Sequence, residues 1–219
     1  MPPKALLAIR SDIAPQFEPE YLEWMTREHA IERVDIDGFL SARIFRSKHA
    51  QFGRFLILYE LADASVVDSP AYLERLNNPT PWSTRIMPHL GNFIRGGGEI
   101  VGNWGTGCGA ALTSFLIRSG DDVVAIESLE ALSKQPGVVA IRLLQTDQVR
   151  TEVTTNERAL RAGDRSFEKL LMIETLDEQS AIRATHNLPA NLRQLLDHGA
   201  ETPRDPYSLV FHLRWRREN

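Results

Sequence analysis

Glu28, His29 and Glu32 lie in one short stretch, Tyr21-Leu-Glu-Trp-Met-Thr-Arg-Glu-His-Ala-Ile-Glu-Arg33, and all three side chains can hold or exchange a proton. An imidazole titrates at about 6.5 when unperturbed, so it serves as either acid or base at neutral pH. At about 100° per residue, Trp24, Glu28, Tyr21, Glu32, Met25, His29 and Leu22 share one arc of a helix, while Glu20, Glu23, Thr26, Arg27, Ala30 and Arg33 share the other. Ionisable groups among aromatic and aliphatic side chains cost several kcal/mol unless they find partners. A cavity lined by this helix accounts for them. His29 is the candidate general acid or base, and Glu28 or Glu32 would fix its tautomer. The competing readings are a core histidine with satisfied nitrogens and a solvent-facing carboxylate pair beside Arg27 and Arg33.

Other residues could complete such a pocket. Trp82, Ile86 and His89 can share a helical face, with Arg85 beside them, although Pro88 interrupts the geometry. Trp24 would add an aromatic wall. The hydroxyls of Tyr59 and Tyr72 could orient a carbonyl or phenol, and Arg43 could bind a substrate carboxylate or a structural one. Trp24, Arg43, Tyr59, Tyr72, Trp82, Arg85 and His89 are therefore the substrate-binding candidates. No His-x-x-x-His pair or dense ligand cluster accompanies His29, so no metal is expected. Seven of the fourteen glycines lie between Gly96 and Gly109, but no Gly-Lys-Ser/Thr follows and the next residues read as a strand. With no phosphate-cradling turn and a single cysteine, Cys108, no haem, flavin or nicotinamide cofactor is expected.

Two sets of elements would position these groups. Strands are predicted at 5–9, 39–46, 55–61 and 92–95, with helices at 19–33 and from Ser69-Pro70 to about residue 78; Thr80-Pro81-Trp82 starts a further short helix that ends at Pro88. The glycine-rich 96–109 reads as a linker. Beyond it, strands are predicted at 112–118, 138–144, 170–176 and 207–215, with helices at 124–134 and from Ser180. The second of these helices carries His186, expected at the surface. Asn103 and Trp104 could close over a pocket. Gly38-Phe-Leu-Ser-Ala-Arg43 matches Gly137-Val-Val-Ala-Ile-Arg142, and Leu56-Ile-Leu-Tyr-Glu-Leu61 matches Leu171-Met-Ile-Glu-Thr-Leu176. The order is βαββαβ twice, giving an α+β fold of two duplicated ferredoxin-like halves, residues 1–105 with the site and residues 110–219 mainly as scaffold. Their antiparallel sheets are expected to pack face to face as an α+β barrel.

Composition narrows the class. Of 219 residues, 42% are hydrophobic and 25% charged, and no apolar run approaches the roughly 20 residues that cross a bilayer. No signal segment is expected, and the cytoplasm is the expected address. A net charge of −4 disfavours a nucleic-acid partner, since Arg214-Trp-Arg-Arg217 is the only basic run. A small-molecule substrate is the expected partner, with no membrane partner and a homodimer as one candidate assembly.

The run Glu23-Trp-Met-Thr-Arg-Glu-His29, followed by Glu32-Arg33 and Gly38-Phe-Leu-Ser-Ala-Arg43, resembles the pattern of EthD-like proteins in the dimeric α+β barrel superfamily. Tyr59-Glu-Leu61, Ser69-Pro-Ala-Tyr-Leu73 and Asn78-Pro-Thr-Pro-Trp82 are similar to the same group, so the likeness spans about residues 5–100. The chain departs from that pattern at Ala30, Ile31 and Asp37. The resemblance implies a cofactor-independent acid/base enzyme of lyase, isomerase or cyclase type, acting on a small, largely apolar carbonyl or oxygenated ring compound. It also admits a cofactor-free monooxygenase, or a noncatalytic small-ligand binding or stress protein.

Overall fold

The computed structural model describes residues 3–48, 50–117, 126–195 and 205–214. Eight strands close into one antiparallel barrel: β1 (Ala5–Ile13), β2 (Phe39–Ser47), β3 (Gly53–Leu61), β4 (Leu90–Trp104), β5 (Ala111–Ile117), β6 (Val138–Thr146), β7 (Lys169–Thr175) and β8 (Tyr207–Arg214). Around the barrel the order is β1-β3-β2-β8-β5-β7-β6-β4. The two groups of strands therefore do not lie sheet upon sheet: β2 pairs with β8 and β4 with β6, so both seams are hydrogen-bonded edges. Closure leaves no free strand edge. Helices α1 (Glu18–Trp24), α2 (Ala30–Val34), α3 (Pro70–Asn77) and α4 (Pro81–Ile86) belong to the first half. The second half contributes α5 (Ile126–Ser133), α6 (Gln148–Thr151), α7 (Asn156–Ala159), α8 (Glu178–His186) and α9 (Ala190–Leu195).

Most strands are buried on both faces, whereas β8 and the end of β4 are exposed on one. In β1 and β3, Leu6, Ala8, Leu56 and Leu58 point into the barrel with Phe45, Leu112, Leu144 and Met172. Ala5, Leu7, Phe55, Ile57 and Tyr59 point out beneath Tyr21, Trp24, Val34 and Tyr72 of the helix layer. A separate apolar cluster, with Leu129, Leu132, Ile141, Leu171, Ile173 and Ala184, lies outside the second half. Side-chain caps set the helix starts: Ser69 accepts the Tyr72 amide before α3, and Thr80 accepts the Ser83 amide before α4.

The glycine-rich stretch is not a linker throughout. Residues 96–104 continue β4, and the glycines allow close approach. A Cβ on Gly98 would sit 2.0 Å from the Gln145 carbonyl oxygen of β6, and one on Gly96 would sit 2.4 Å from the Phe167 ring. Among the expected positions, 118, 124–125 and 215–217 lie outside the described residues. Trp104 packs against the second-half cluster, and the exposed Asn103 donates to the Gly105 carbonyl.

The register of β2 on β3 is repeated by β6 on β7. Arg43 faces Leu58 and Arg142 faces Met172; in the same register Ser41 faces Glu60 and Ala140 faces Glu174, and a bulge follows just beyond Ser41 and just beyond Ala140. Glu60 thus corresponds to Glu174, one residue displaced from the sequence match. These positions point inward and form one buried ionic cluster. Arg43 donates to both oxygens of Glu174 (2.7 and 3.1 Å), and Arg142 donates to Oε1 of the same carboxylate. Glu60 lies 3.5 Å from Arg43, and the Gly109 amide donates to Glu174. Arg43 and Glu174 are 1% exposed, so the arginine proposed for substrate is consumed by structure.

Glu174→Gln would leave two buried guanidinium groups sharing a neutral amide. We expect a loss of about 3–5 kcal/mol in chemical denaturation. Glu60→Gln, at the more solvated end of the cluster, should cost clearly less.

Candidate functional site

The helix layer carries one irregular turn. Between α1 and α2, Met25–His29 is π-helical, with the Ala30 amide bonding to the Met25 carbonyl. The Thr26 hydroxyl donates to the Leu22 carbonyl (2.7 Å) where the ladder widens. A π turn holds one extra residue, which rotates everything after it by roughly one helical position. Ala30 and Arg33, expected to face solvent, are therefore buried, and Ile31 is exposed. Glu32 is turned to a half-buried position 3.8 Å from Arg75.

His29 and Arg33 now share the wall of a cavity of about 60 Å³, together with Ile9, Tyr59, Tyr72, Leu76, Phe93 and Arg95. The cavity lies between the outer face of the first-half strands and a segment, residues 151–166, that leaves the barrel after β6. That segment supplies Glu157, Arg158, Arg161 and Asp164 to the lining, with exposed Glu152 and Arg165 at the rim.

His29 is 5% exposed, and its ring lies 4.3 Å from Trp24, tilted by 33°. Its Nδ1 has no hydrogen-bond partner among the described residues. Burial, with the charges of Arg33 and Arg161 behind it, holds the imidazole well below its usual pKa, so it is neutral at pH 7. Tyr59, 1% exposed, has an unpartnered hydroxyl whose ionisation burial pushes up, so it too is neutral. Arg33 pairs with Glu157 and lies 5.7 Å from the Tyr72 ring centroid. Arg161 pairs with Asp164 (3.0 Å), approaches Glu157 (3.8 Å) and sits 4.0 Å over Phe93. Arg95 donates to the Thr151 carbonyl (2.6 Å) and the Tyr72 hydroxyl (3.4 Å).

Of the residues singled out from sequence, His29, Tyr59 and Tyr72 meet at this cavity. The others lie elsewhere. Trp24 stands behind His29 and donates to Ser83 (3.1 Å). Glu28 accepts from Thr80 (2.5 Å), and burial holds the Glu32 carboxyl above its usual range; neither lines the cavity. Trp82 and Arg85 both donate to Glu20 on the outer surface, and exposed His89 stacks on Phe17 at 3.8 Å. The Pro88 interruption decides this: α4 ends at Ile86 and the chain turns toward β4. Arg33, Arg95, Glu157, Arg158 and Arg161 were not anticipated. The density of Arg158, Arg161 and Arg165 in one short segment was the available signal. Among the described residues, no group of three or more histidine, cysteine or acidic side chains is placed to hold a metal ion.

No family model and no curated protein sequence matches this chain. Solved structures do. An anthrone oxidase-like protein aligns over 96% of this chain and 93% of its own, at 12% identity and a TM-score of 0.64. The chain has the dimeric α+β barrel fold. A protein described as a putative chlorite dismutase shares this barrel over 96% of both chains at 13% identity and a TM-score of 0.57. A putative monooxygenase from Fusobacterium nucleatum shares it over 97% of this chain and 95% of its own, at 10% identity and 0.55. At such identities the likeness is one of fold. No helix among the described residues of this α+β barrel is long and apolar enough to cross a membrane.

The buried neutral imidazole makes stability depend on pH. In the unfolded chain His29 titrates at about 6.5, and in the folded chain it titrates lower. Between those values the unfolded chain binds more protons. Stability therefore rises with pH through that window and is lost as pH falls below about 6.5, by up to ~1.4 kcal/mol per pH unit. Urea titrations between pH 7.5 and 5 should show His29→Gln lacking this part of the slope; identical slopes would mean that the folded chain protonates His29 freely.

Proposed function

We propose that this chain is an enzyme that moves a proton on a small oxygenated molecule, with His29 as the accepting group. The observation that carries the reading is a neutral, buried imidazole with an unpartnered Nδ1 on a cavity wall that also holds the unpartnered Tyr59 hydroxyl. A neutral imidazole offers one lone pair. It would take the proton from a carbon beside a carbonyl, leaving the electron pair as an enolate. The Tyr59 hydroxyl, kept protonated by burial, would donate to the enolate oxygen. Trp24, stacked behind His29, would fix the ring without touching substrate. Returning the proton to another carbon gives an isomerase, expelling a leaving group gives a lyase, and attack on a second carbonyl gives a cyclase.

The cavity constrains what enters. A closed apolar cavity of about 150 Å³ holds benzene, so about 60 Å³ admits only the reacting end of a larger compound. The rest would extend past Glu152 and Arg165. Five arginines on the wall also argue for a polar reacting end in place of the largely apolar substrate expected from sequence.

A second reading is favoured by the neighbours' descriptions as anthrone oxidase-like and putative monooxygenase. The same enolate would react with dioxygen, converting a CH₂ to a carbonyl and releasing water. Oxygen uptake on turnover separates the two. We further read the chain as two copies of one βαββαβ unit; the shared register of β2/β3 and β6/β7 and the Arg43/Arg142 and Glu60/Glu174 correspondences support it.

His29→Gln keeps a polar side chain of similar size and removes the titrating group. Deuterium incorporation from D₂O into a panel of enolisable carbonyl compounds should fall by roughly 10² or more, with the fold retained. Unchanged exchange would remove His29 from the chemistry. Ligand binding without exchange by any member of the panel would favour a noncatalytic binding protein.

A further inference from the structure

Two arginines of the cavity wall carry charge that no carboxylate takes up. Arg33 and Arg161 are matched by Glu157 and Asp164. Arg95 reaches only the Thr151 carbonyl and the Tyr72 hydroxyl, and the Arg158 guanidinium only the Val153 carbonyl (3.5 Å). Among the described residues, neither has an acidic side chain within ion-pair distance. Carbonyl and hydroxyl oxygens offer partial charges, whereas a guanidinium makes its strongest and most directional hydrogen bonds to a carboxylate or another oxyanion. The lining as a whole holds five arginines against three acids, Glu152, Glu157 and Asp164, and Glu152 is exposed at the rim.

A second, independent observation points to a ligand. Tyr59 and His29 line the same wall, and the buried Tyr59 hydroxyl and His29 Nδ1 find no partner among the described residues. A buried polar atom left unsatisfied costs about 1–3 kcal/mol, and a bound oxygen or acidic hydrogen would remove that cost.

We propose that the cavity binds its substrate by a carboxylate, held by Arg95 and Arg158, with an enolisable carbonyl of the same molecule turned toward Tyr59 and His29. The substrate class is a small oxo acid or a larger compound ending in one. A carboxylate joined to a carbonyl is only a few heavy atoms, which suits a cavity of about 60 Å³. The carbonyl end of this inference rests on the acid/base reading of His29; the carboxylate end does not.

The test uses the full chain with pyruvate, its neutral isostere pyruvamide, and acetate. Calorimetry at pH 7 should detect pyruvate and acetate, with pyruvamide weaker by about tenfold or more, as expected when a charge-assisted pair is lost. Arg95→Gln should weaken pyruvate by a similar factor and Arg95→Lys should recover part of it. Arg158→Gln serves the same purpose if the Arg95 variants melt early. Proton NMR in D₂O then follows exchange at the pyruvate methyl group. Arginine-dependent pyruvate binding without exchange upholds the carboxylate site and sinks the acid/base reading. Equal binding of pyruvamide overturns the carboxylate site, and equal exchange with pyruvamide does so while upholding the acid/base reading. Absence of binding by both pyruvate and acetate, or binding unaffected by both arginine substitutions, also overturns it.

Discussion

The Glu174 carboxylate takes hydrogen bonds from Arg43 of β2, Arg142 of β6 and the Gly109 amide that precedes β5. One side chain thus ties β2, β6 and β7 of the barrel to one point. Two guanidinium groups this deep would each be strongly destabilising in isolation. Sharing one carboxylate, with Glu60 beside Arg43, brings the cluster close to neutrality and fixes the strand register around it. Because the register of β2/β3 repeats in β6/β7, the same pair of positions supplies an arginine and a glutamate from each half. The barrel interior is therefore specified by charge at this end and filled by Leu6, Leu58, Leu112 and Leu144 elsewhere.

The inside is filled except for a space of about 10 Å³ beside Ala8, Leu56 and Leu170, and the larger cavity that forms the candidate site is displaced to the outside. It forms where the helix layer meets the segment between β6 and β7. That connection runs from residue 147 to 168, whereas β2 and β3 are joined by residues 48–52. The longer connection crosses to the first half, and the Arg33–Glu157 pair anchors it there. β2/β3 and β6/β7 share one pairing register but differ in the length of their connections, and the longer connection makes the cavity.

The π turn is the local counterpart of that displacement. It keeps His29 against Trp24 while moving Arg33, in place of Glu32, onto the same wall. The result is a neutral imidazole in a cationic surround: burial first, and then the charges of Arg33 and Arg161, lower the basicity of His29.

The sequence by itself determined the elements and singled out His29 as the candidate for acid/base chemistry. Alternation and apolar runs marked all eight strands, seven of them to within a few residues and β4 only over its first part, and Ser69-Pro70 and Thr80-Pro81 marked helix starts, because propensity and capping act over a few residues. His29 stood out because an imidazole among Trp24, Met25 and Leu22 is costly without a purpose. Three things were decided only by tertiary structure. The glycines at 96–98 read as a linker because flexibility and close packing call for the same residue, and only contact with Gln145 and Phe167 distinguishes them. Glu32 and Arg33 exchanged places because a 100° wheel cannot register a π turn. Arg43 read as a substrate ligand because a lone arginine gives no sign of its partner, and that partner, Glu174, lies 131 residues away. Spacing reports neighbours along the chain, whereas the charge balance of a cavity depends on neighbours brought together by barrel closure.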